Sequence, residues 1–327
     1  MKIFLGRSLR ISAVLALAFA ATIAHAVAQT YPARPVKIIV PFAPGGPADI
    51  FARQLGQYLS ESLKQSFVIE DRPGAGSILG TEAVARAAPD GYTLLLMSNT
   101  HTTNESLIPK KPFALMRDFV AVAPINYSDL LMVVPPSVPA KDLKEFIALA
   151  KSKPGQLNYA SSGPGTPYHM AGELFKAMSG TAIVHVPYKG SGEARNAVIG
   201  GHVDMMLDAI TTMAANARAG QVRALGTTGA KRSSVLPDVP TIAEAGVPGY
   251  EATIWLGLMA PVATPKAVVD KLNAEVVKII IRADLQKTWA EQGAVSMIMD
   301  PAAFDQYLRA DIAKWAHVVE VSGAKVE

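Results

Sequence analysis

Short apolar runs alternate with stretches of helical spacing along the chain, the pattern of β-α units with parallel sheets. Val36-Lys37-Ile38-Ile39-Val40 is nearly continuous in apolar character, as a strand covered on both faces must be. Phe51, Leu55, Leu59 and Leu63 recur every fourth residue and predict a helix from about Ala48 with one buried stripe. Strands over 67–70 and 93–97 flank a helix over 77–88. A second series has strands over 130–134, 157–160, 183–186, 203–207 and 222–225, with helices near 141–151, 167–178, 192–199 and 211–219. A loop rich in Pro and Gly, 235–249, precedes an apolar strand over 253–259. Amphipathic helices near 265–282 and 301–319 finish the chain. No repeat with a period of about 20 to 50 residues is visible.

The closing stretch is rich in helix and poor in strand, so it is expected to return to the first set of elements. The chain then crosses between two α/β lobes twice, near Leu130 and between Gly249 and Trp255. The expected division is lobe 1 over 29–129 plus 253–327 and lobe 2 over 130–252. Two Rossmann-like lobes joined by two crossing strands form a hinge, and a hinge of this kind puts the cleft at the carboxyl ends of the strands.

Lys2, Arg7 and Arg10 precede an apolar run from Ile11 to Ala24 and two small-x-small sites, Ala24-His25-Ala26 and Ala26-Val27-Ala28. This is the order of a cleavable export signal, and the run is shorter than the roughly 20 residues a membrane span needs. Cleavage after Ala28 makes residues 1–28 the signal peptide and Gln29 the new terminus. Losing those three cations takes the formal charge from +4 to +1. No stripe of Lys and Arg interleaved with aromatics is left to bind nucleic acid. The chain has no cysteine, which excludes disulfides, a thiol nucleophile and a lipid-modified amino-terminal Cys. An exported protein of this kind relies on its core, which about 300 residues at 50% apolar content can build as two domains.

The most informative segment is Pro41-Phe42-Ala43-Pro44-Gly45-Gly46-Pro47-Ala48-Asp49, set between a buried strand and a helix. Gly45 and Gly46 allow a sharp turn, Pro47 suits the first helical position, and Asp49 complements the dipole in the first turn. The free amides of such a turn make an anion site; a tight β-α connection without a ligand has the same sequence. Ser161-Ser162-Gly163-Pro164-Gly165-Thr166-Pro167-Tyr168-His169 repeats the construction in the second lobe, with Thr166 at the N-cap and Pro167 at the first helical position. Two positive helix starts facing each other across a cleft suit a ligand with two carboxylates on a short carbon linker. About four to six charge-assisted hydrogen bonds at roughly 1.5–3 kcal/mol each can offset an association cost on the order of 4–15 kcal/mol. No buried Arg is required.

Other candidates lie at the same ends of the strands. Ser98-Asn99-Thr100-His101-Thr102-Thr103-Asn104 offers short polar side chains to a ligand, or is a solvated loop with an N-cap. Asp208 ends a strand, where it receives a ligand hydroxyl or ammonium or else caps the next helix. Tyr188 and Lys189 stand in a further β-α turn near the cleft mouth, and a solvated Lys189 is the plainer reading. His169 and Glu173 have the spacing of a metal pair but no third ligand spaced with them, so no metal is expected. Gly74-Ala75-Gly76-Ser77-Ile78-Leu79-Gly80 has a nucleotide-like glycine pattern, yet Arg72-Pro73 precedes it where an apolar strand belongs. With no Gly-x-Ser-x-Gly elbow, His-Glu-x-x-His or P-loop, neither an enzyme nor a cofactor is expected.

The segment 35–49, Asp71-Arg72-Pro73-Gly74-Ala75-Gly76, Asp90-Gly91-Tyr92-Thr93-Leu94, Val186-Pro187-Tyr188-Lys189-Gly190, Arg223-Ala224-Leu225, Leu236-Pro237-Asp238-Val239-Pro240-Thr241 and Glu244-Ala245-Gly246 together closely resemble the Bug family. These are the extracytoplasmic receptors of tripartite tricarboxylate transporters. The resemblance implies a type II periplasmic binding-protein fold, a periplasmic location, and delivery of a bound carboxylate to a two-component membrane permease. It also implies a pincer on the ligand carboxylates from the loop matching Pro41 to Asp49 and the segment matching Ser161 to His169. Residues matching Ser98 to His101, and Asp208, line the pocket. Ala48 stands where a Thr is frequent, which removes one hydroxyl donor, and Glu105 stands where a Pro is common. The expected protein is a monomeric receptor for a small organic carboxylate, a dicarboxylate by preference. The alternatives are an aromatic carboxylate, an acidic amino acid, or a sensing role as partner of a histidine kinase.

Overall fold

A computed structural model describes residues 31–325, so the export signal expected over 1–28 lies outside the described residues. Strand β1 (Val36–Val40) coincides with the apolar run, and its valines and isoleucines are buried. Helix α1 (Pro47–Leu63) follows; Phe51, Leu55 and Leu59 face the core, with Leu63 packed partly against it. Then come β2 (Phe67–Asp71), α2 (Ile78–Ala85), β3 (Thr93–Ser98), α3 (Asn99–Leu107), a short α4 (Leu115–Asp118) and the long strand β4 (Phe119–Val134). The second half begins with α5 (Leu143–Ser152), β5 (Asn158–Ser161), α6 (Pro167–Ser179), β6 (Val184–Pro187) and α7 (Ser191–Ile199). It continues with β7 (Met205–Ala209), α8 (Ile210–Arg218), β8 (Arg223–Thr227) and β9 (Thr253–Pro261). Helices α9 (Lys266–Ile280) and α10 (Ala283–Glu291), strand β10 (Ala294–Ser296) and helix α11 (Pro301–Ser322) complete it.

Strands run in the order β2-β1-β3-β9-β4-β7-β5-β6, with β8 and β10 also paired to β4. Within each lobe the outer strands are parallel: β1 lies between β2 and β3, and β5 between β6 and β7. The two strands that join the lobes are antiparallel to their neighbours, beside the parallel pairing that the β-α pattern predicts. Strand β4 pairs with β9 as far as Asp129 and with β7 from Leu130 onward, so one strand belongs to both sheets. The result is a two-lobed α/β fold whose lobes share one continuous strand.

The sequence pattern placed a strand only over 130–134, whereas β4 starts at Phe119. Pro124 reads as a strand breaker, but the pairing shifts register between Pro124 and Asn126, and a bulge tolerates the missing N–H. The polar run after Ser98 is helix α3 rather than a loop. Its first turn is closed by Ser98, whose hydroxyl accepts from the Thr100 amide, and by His101, whose ring accepts from the Ser98 amide. Helix α10 and strand β10 were not foreseen either. Trp289 of α10 is fully buried, edge-on to Phe51 with centroids 5.6 Å apart, and its indole N–H donates to Gln54 at 2.7 Å. Helix α11 reaches both lobes. Asp311 accepts from Thr102 and the Trp255 indole, while Trp315 and Val318 pack against Met170 of α6.

Candidate functional site

The carboxyl ends of β1, β2, β3, β5 and β6 surround a cavity of about 500 Å³ between the lobes. At its first-lobe side the chain leaves β1, turns at Gly45 in the left-handed region (φ 76°), and enters α1 with Gly46 extended at the N-cap and Pro47 first in the helix. Asp49 folds back to accept from the Gly45 amide at 2.9 Å and pairs with Arg53, which also holds Asp71 at 2.8 Å. The Gly46 and Ala48 amides donate to no acceptor among the described residues. The second-lobe side is built the same way: Gly163 and Gly165 have positive φ, Thr166 is the N-cap and Pro167 opens α6. Here the residue that folds back is His169, whose Nδ1 accepts from the Gly165 amide at 3.1 Å.

The two lobes meet over the cavity. A Cβ on Gly190 would stand 2.9 Å from the Cβ of Ala43, and one on Gly46 would stand 3.3 Å from the Ser191 hydroxyl. Beneath the second helix start, His169 stacks on His185 at 4.1 Å, and His185 meets the Ser161 hydroxyl at 2.6 Å. Burial holds both rings neutral, His169 down to about 4 and His185 to about 3, each pushed further by neighbouring positive charge. His101 is also driven down to about 4 by burial.

Gly46, Ala48, Ser98, Ser162, Gly163 and Thr166 line the cavity, as nominated from sequence. The other nominated residues stand off its wall, and each has a different engagement. Pro44 and Gly45 are exposed at the tip of the turn, and Asp49 supports that turn from behind. Asn99 donates to the Thr253 carbonyl at 3.0 Å, His101 closes the start of α3, and Ser161 accepts from the Gly163 amide at 3.1 Å. His169 supports the α6 turn. Asp208 is fully buried and accepts from Arg195 at 2.7 Å and Thr212 at 3.3 Å. Burial raises the Asp208 pKa against the pull of Arg195. Thr166 directs its hydroxyl to the Gly163 carbonyl rather than capping α6. Glu173, which shares the spacing of a metal pair with His169, is taken by Lys176 at 2.7 Å and the Tyr159 hydroxyl at 2.7 Å.

Sequence reasoning passed over several parts of the wall. The turn from Pro73 to Ser77 lines it, as do Tyr168, Ser191, Ile254 and Leu256. The glycine pattern at Gly74 and Gly76 was the available signal for the first of these, read only against a nucleotide template. Tyr188 and Lys189 also reach the wall, and among the lining residues Lys189 is the single charged group. Phe42, five prolines and the aliphatic pair on β9 make the remaining surface largely apolar.

A family model described as "Tripartite tricarboxylate transporter family receptor" matches residues 51–324. Protein BugT of Bordetella pertussis is 37% identical over 313 residues, covering 95% of this chain and 96% of its own. Among solved structures, R. palustris Rpa4515 with adipate superposes with a TM-score of 0.87 at 34% identity, over 91% of this chain and 100% of that one. The periplasmic binding protein BugD gives 0.85 at 33% identity over the same shares. MatC from Rhodopseudomonas palustris with bound malate gives 0.83 at 34% identity, over 88% of this chain and 100% of that one.

Proposed function

The chain belongs to the receptor family of tripartite tricarboxylate transporters, and from that premise we propose that it captures a small organic dicarboxylate between its lobes and delivers it to a two-component membrane permease. The observation that carries this reading is the pair of opposed helix starts with undonated amides, at Gly46 and Ala48 on one side and at Tyr168 on the other. Such amides attract negative charge without requiring a cationic side chain. Among the described residues the lining contains no Asp or Glu, and its one charged group is Lys189. An anion therefore meets attraction at the helix starts and at Lys189, whereas an ammonium group finds no carboxylate on the wall, because Asp208 is committed to Arg195 away from it. This argues against an acidic amino acid.

The cavity also exceeds what a four-carbon diacid fills, and its apolar lining favours a longer methylene chain or an aromatic ring between the carboxylates. The adipate and malate found in two similar structures bracket the lengths to try. On this reading the segment 1–28 exports the protein and is removed. A thermal-shift screen of the exported chain against straight-chain diacids, aromatic diacids, amino acids and sugars tests the proposal. A ligand at about a hundred times its Kd adds roughly 2.7 kcal/mol of stability, so a bound diacid raises the Tm by several degrees. A shift with amino acids or sugars and none with any acid would overturn the reading.

A further inference from the structure

Neither helix start accounts for the turn that follows β2. We propose that Ala75-Gly76-Ser77 is a third oxyanion-binding pole in the cavity, holding the second carboxylate of the ligand; this rests on the carboxylate-receptor reading. Four consecutive residues here have positive φ: Gly74 at 137°, Ala75 at 47°, Gly76 at 62° and Ser77 at 77°. Two of them carry a Cβ and adopt this region at a cost. The succession turns neighbouring N–H groups toward one side, the concave arrangement that binds anions. The amides of Ala75, Gly76 and Ser77 donate to no acceptor among the described residues, and all three residues line the cavity. The second observation is the Ser77 side chain. It is only 4% exposed, and its hydroxyl has no hydrogen-bond partner. A buried hydroxyl without a partner is costly, and a ligand carboxylate arriving at this wall would supply the missing acceptor.

The turn is held in place from behind. His101 stands behind it, with Nδ1 3.2 Å from the Ser98 amide and Nε2 3.0 Å from the Thr81 hydroxyl. Thr81 in turn donates to the Ser77 carbonyl at 2.8 Å. On the other flank Asn104 donates to the Gly76 carbonyl at 2.8 Å. The carbonyls are thus bound backward into the lobe, leaving the amides of the turn without a protein acceptor at the cavity wall. A Cβ on Gly76 would lie 3.6 Å from the Pro164 carbonyl of the opposite lobe, so the pole sits where the lobes come together.

The test uses calorimetric titration of the exported chain with the tightest straight-chain diacid between malonate and suberate, and with the monocarboxylate of the same carbon number. Ser77→Ala removes the hydroxyl and is expected to weaken the diacid about tenfold while changing the monocarboxylate less than twofold. Ser77→Asp places an internal carboxylate at the turn and is expected to abolish diacid binding while the monocarboxylate still binds. Should Ser77→Asp fail to fold, Ser77→Ala decides alone. Equal weakening of both acids by Ser77→Ala, or no change in either, overturns the third pole while leaving the receptor reading intact. A wild-type chain that binds no carboxylate overturns both.

Discussion

The helix starts at 46–49 and 166–169 solve the same local problem with different chemistry. Both put proline first in the helix, and both tie the third helical residue back to an amide four positions earlier, Asp49 to Gly45 and His169 to Gly165. What differs is the charge behind the turn. Asp49, Arg53 and Asp71 put two anions against one cation, and the two carboxylates press on each other: the Asp71 pKa is raised by burial and by Asp49. Under the other turn His169 and His185 are held neutral by burial. The same turn is therefore built with or without a competing charge behind it. On the carboxylate reading, the second-lobe start is the stronger pole.

The largest expected effect comes from keeping both starts and preventing them from meeting. Gly190 is extended rather than left-handed (φ 178°), so a side chain is tolerated by its backbone, yet its Cβ would press on Ala43 across the cleft. Gly190→Val should weaken diacid binding by more than a hundredfold in calorimetry with little change in the Tm of the unliganded protein. Normal affinity in this variant would show that closure at this point is dispensable.

Next in size is the loss of one turn support. His169→Ala leaves the buried Gly165 N–H without an acceptor, a cost of about 1–3 kcal/mol, and should lower the Tm by roughly 5 °C while weakening the diacid about tenfold. Asp49→Ala should lower affinity less, because it also removes a negative charge near the ligand. Equal losses in the two variants would erase the distinction drawn here.

Acid should separate the two regions as well. A ring whose folded pKa is depressed contributes stability that is present above its unfolded value near 6.5 and is lost as pH falls toward about 4 for His169 and about 3 for His185. Buried carboxylates such as Asp208 and Asp311, raised by burial, work in the opposite direction. The informative quantity is therefore a difference: His185→Gln should show a Tm decline between pH 7 and pH 5, measured by calorimetry, that is shallower than wild type by a few degrees. Parallel declines would mean that the stacked imidazoles are not held neutral. The smallest effect is expected from Asp49→Asn, which keeps an acceptor for Gly45 and removes one charge. Diacid binding should tighten about two- to fivefold, the scale of one unit charge several ångströms away in a partly screened site; weaker binding would reverse the charge argument.

Local pattern made most of the fold legible. The run at Val36–Val40 and the stripe at Phe51, Leu55 and Leu59 stand where period and hydrophobicity put them. The errors fell where tertiary context overrides local rules. Pro124 sits inside a strand because a register shift absorbs it, and the polar run from Asn99 is helical because its side chains are buried and bonded. The candidate site was legible as two turns that reach one cavity wall. It was less so residue by residue, since whether Asp49, His101, His169 or Asp208 faces the cavity or the lobe behind it depends on partners remote in the chain.

The sequence by itself determined which segments turn and which helix starts carry free amides, because glycine, proline and N-cap chemistry act within four or five residues. It also determined, through its lack of cysteine, that the core alone must hold the chain together. Only the tertiary structure decided that Asp208 belongs to Arg195, that two histidines stack beneath α6, and that the Ala75-Gly76-Ser77 turn looks into the same cavity as the helix starts. Those outcomes rest on long-range pairing and burial, which set the direction of a side chain and the cost of its charge and leave no local periodicity to read.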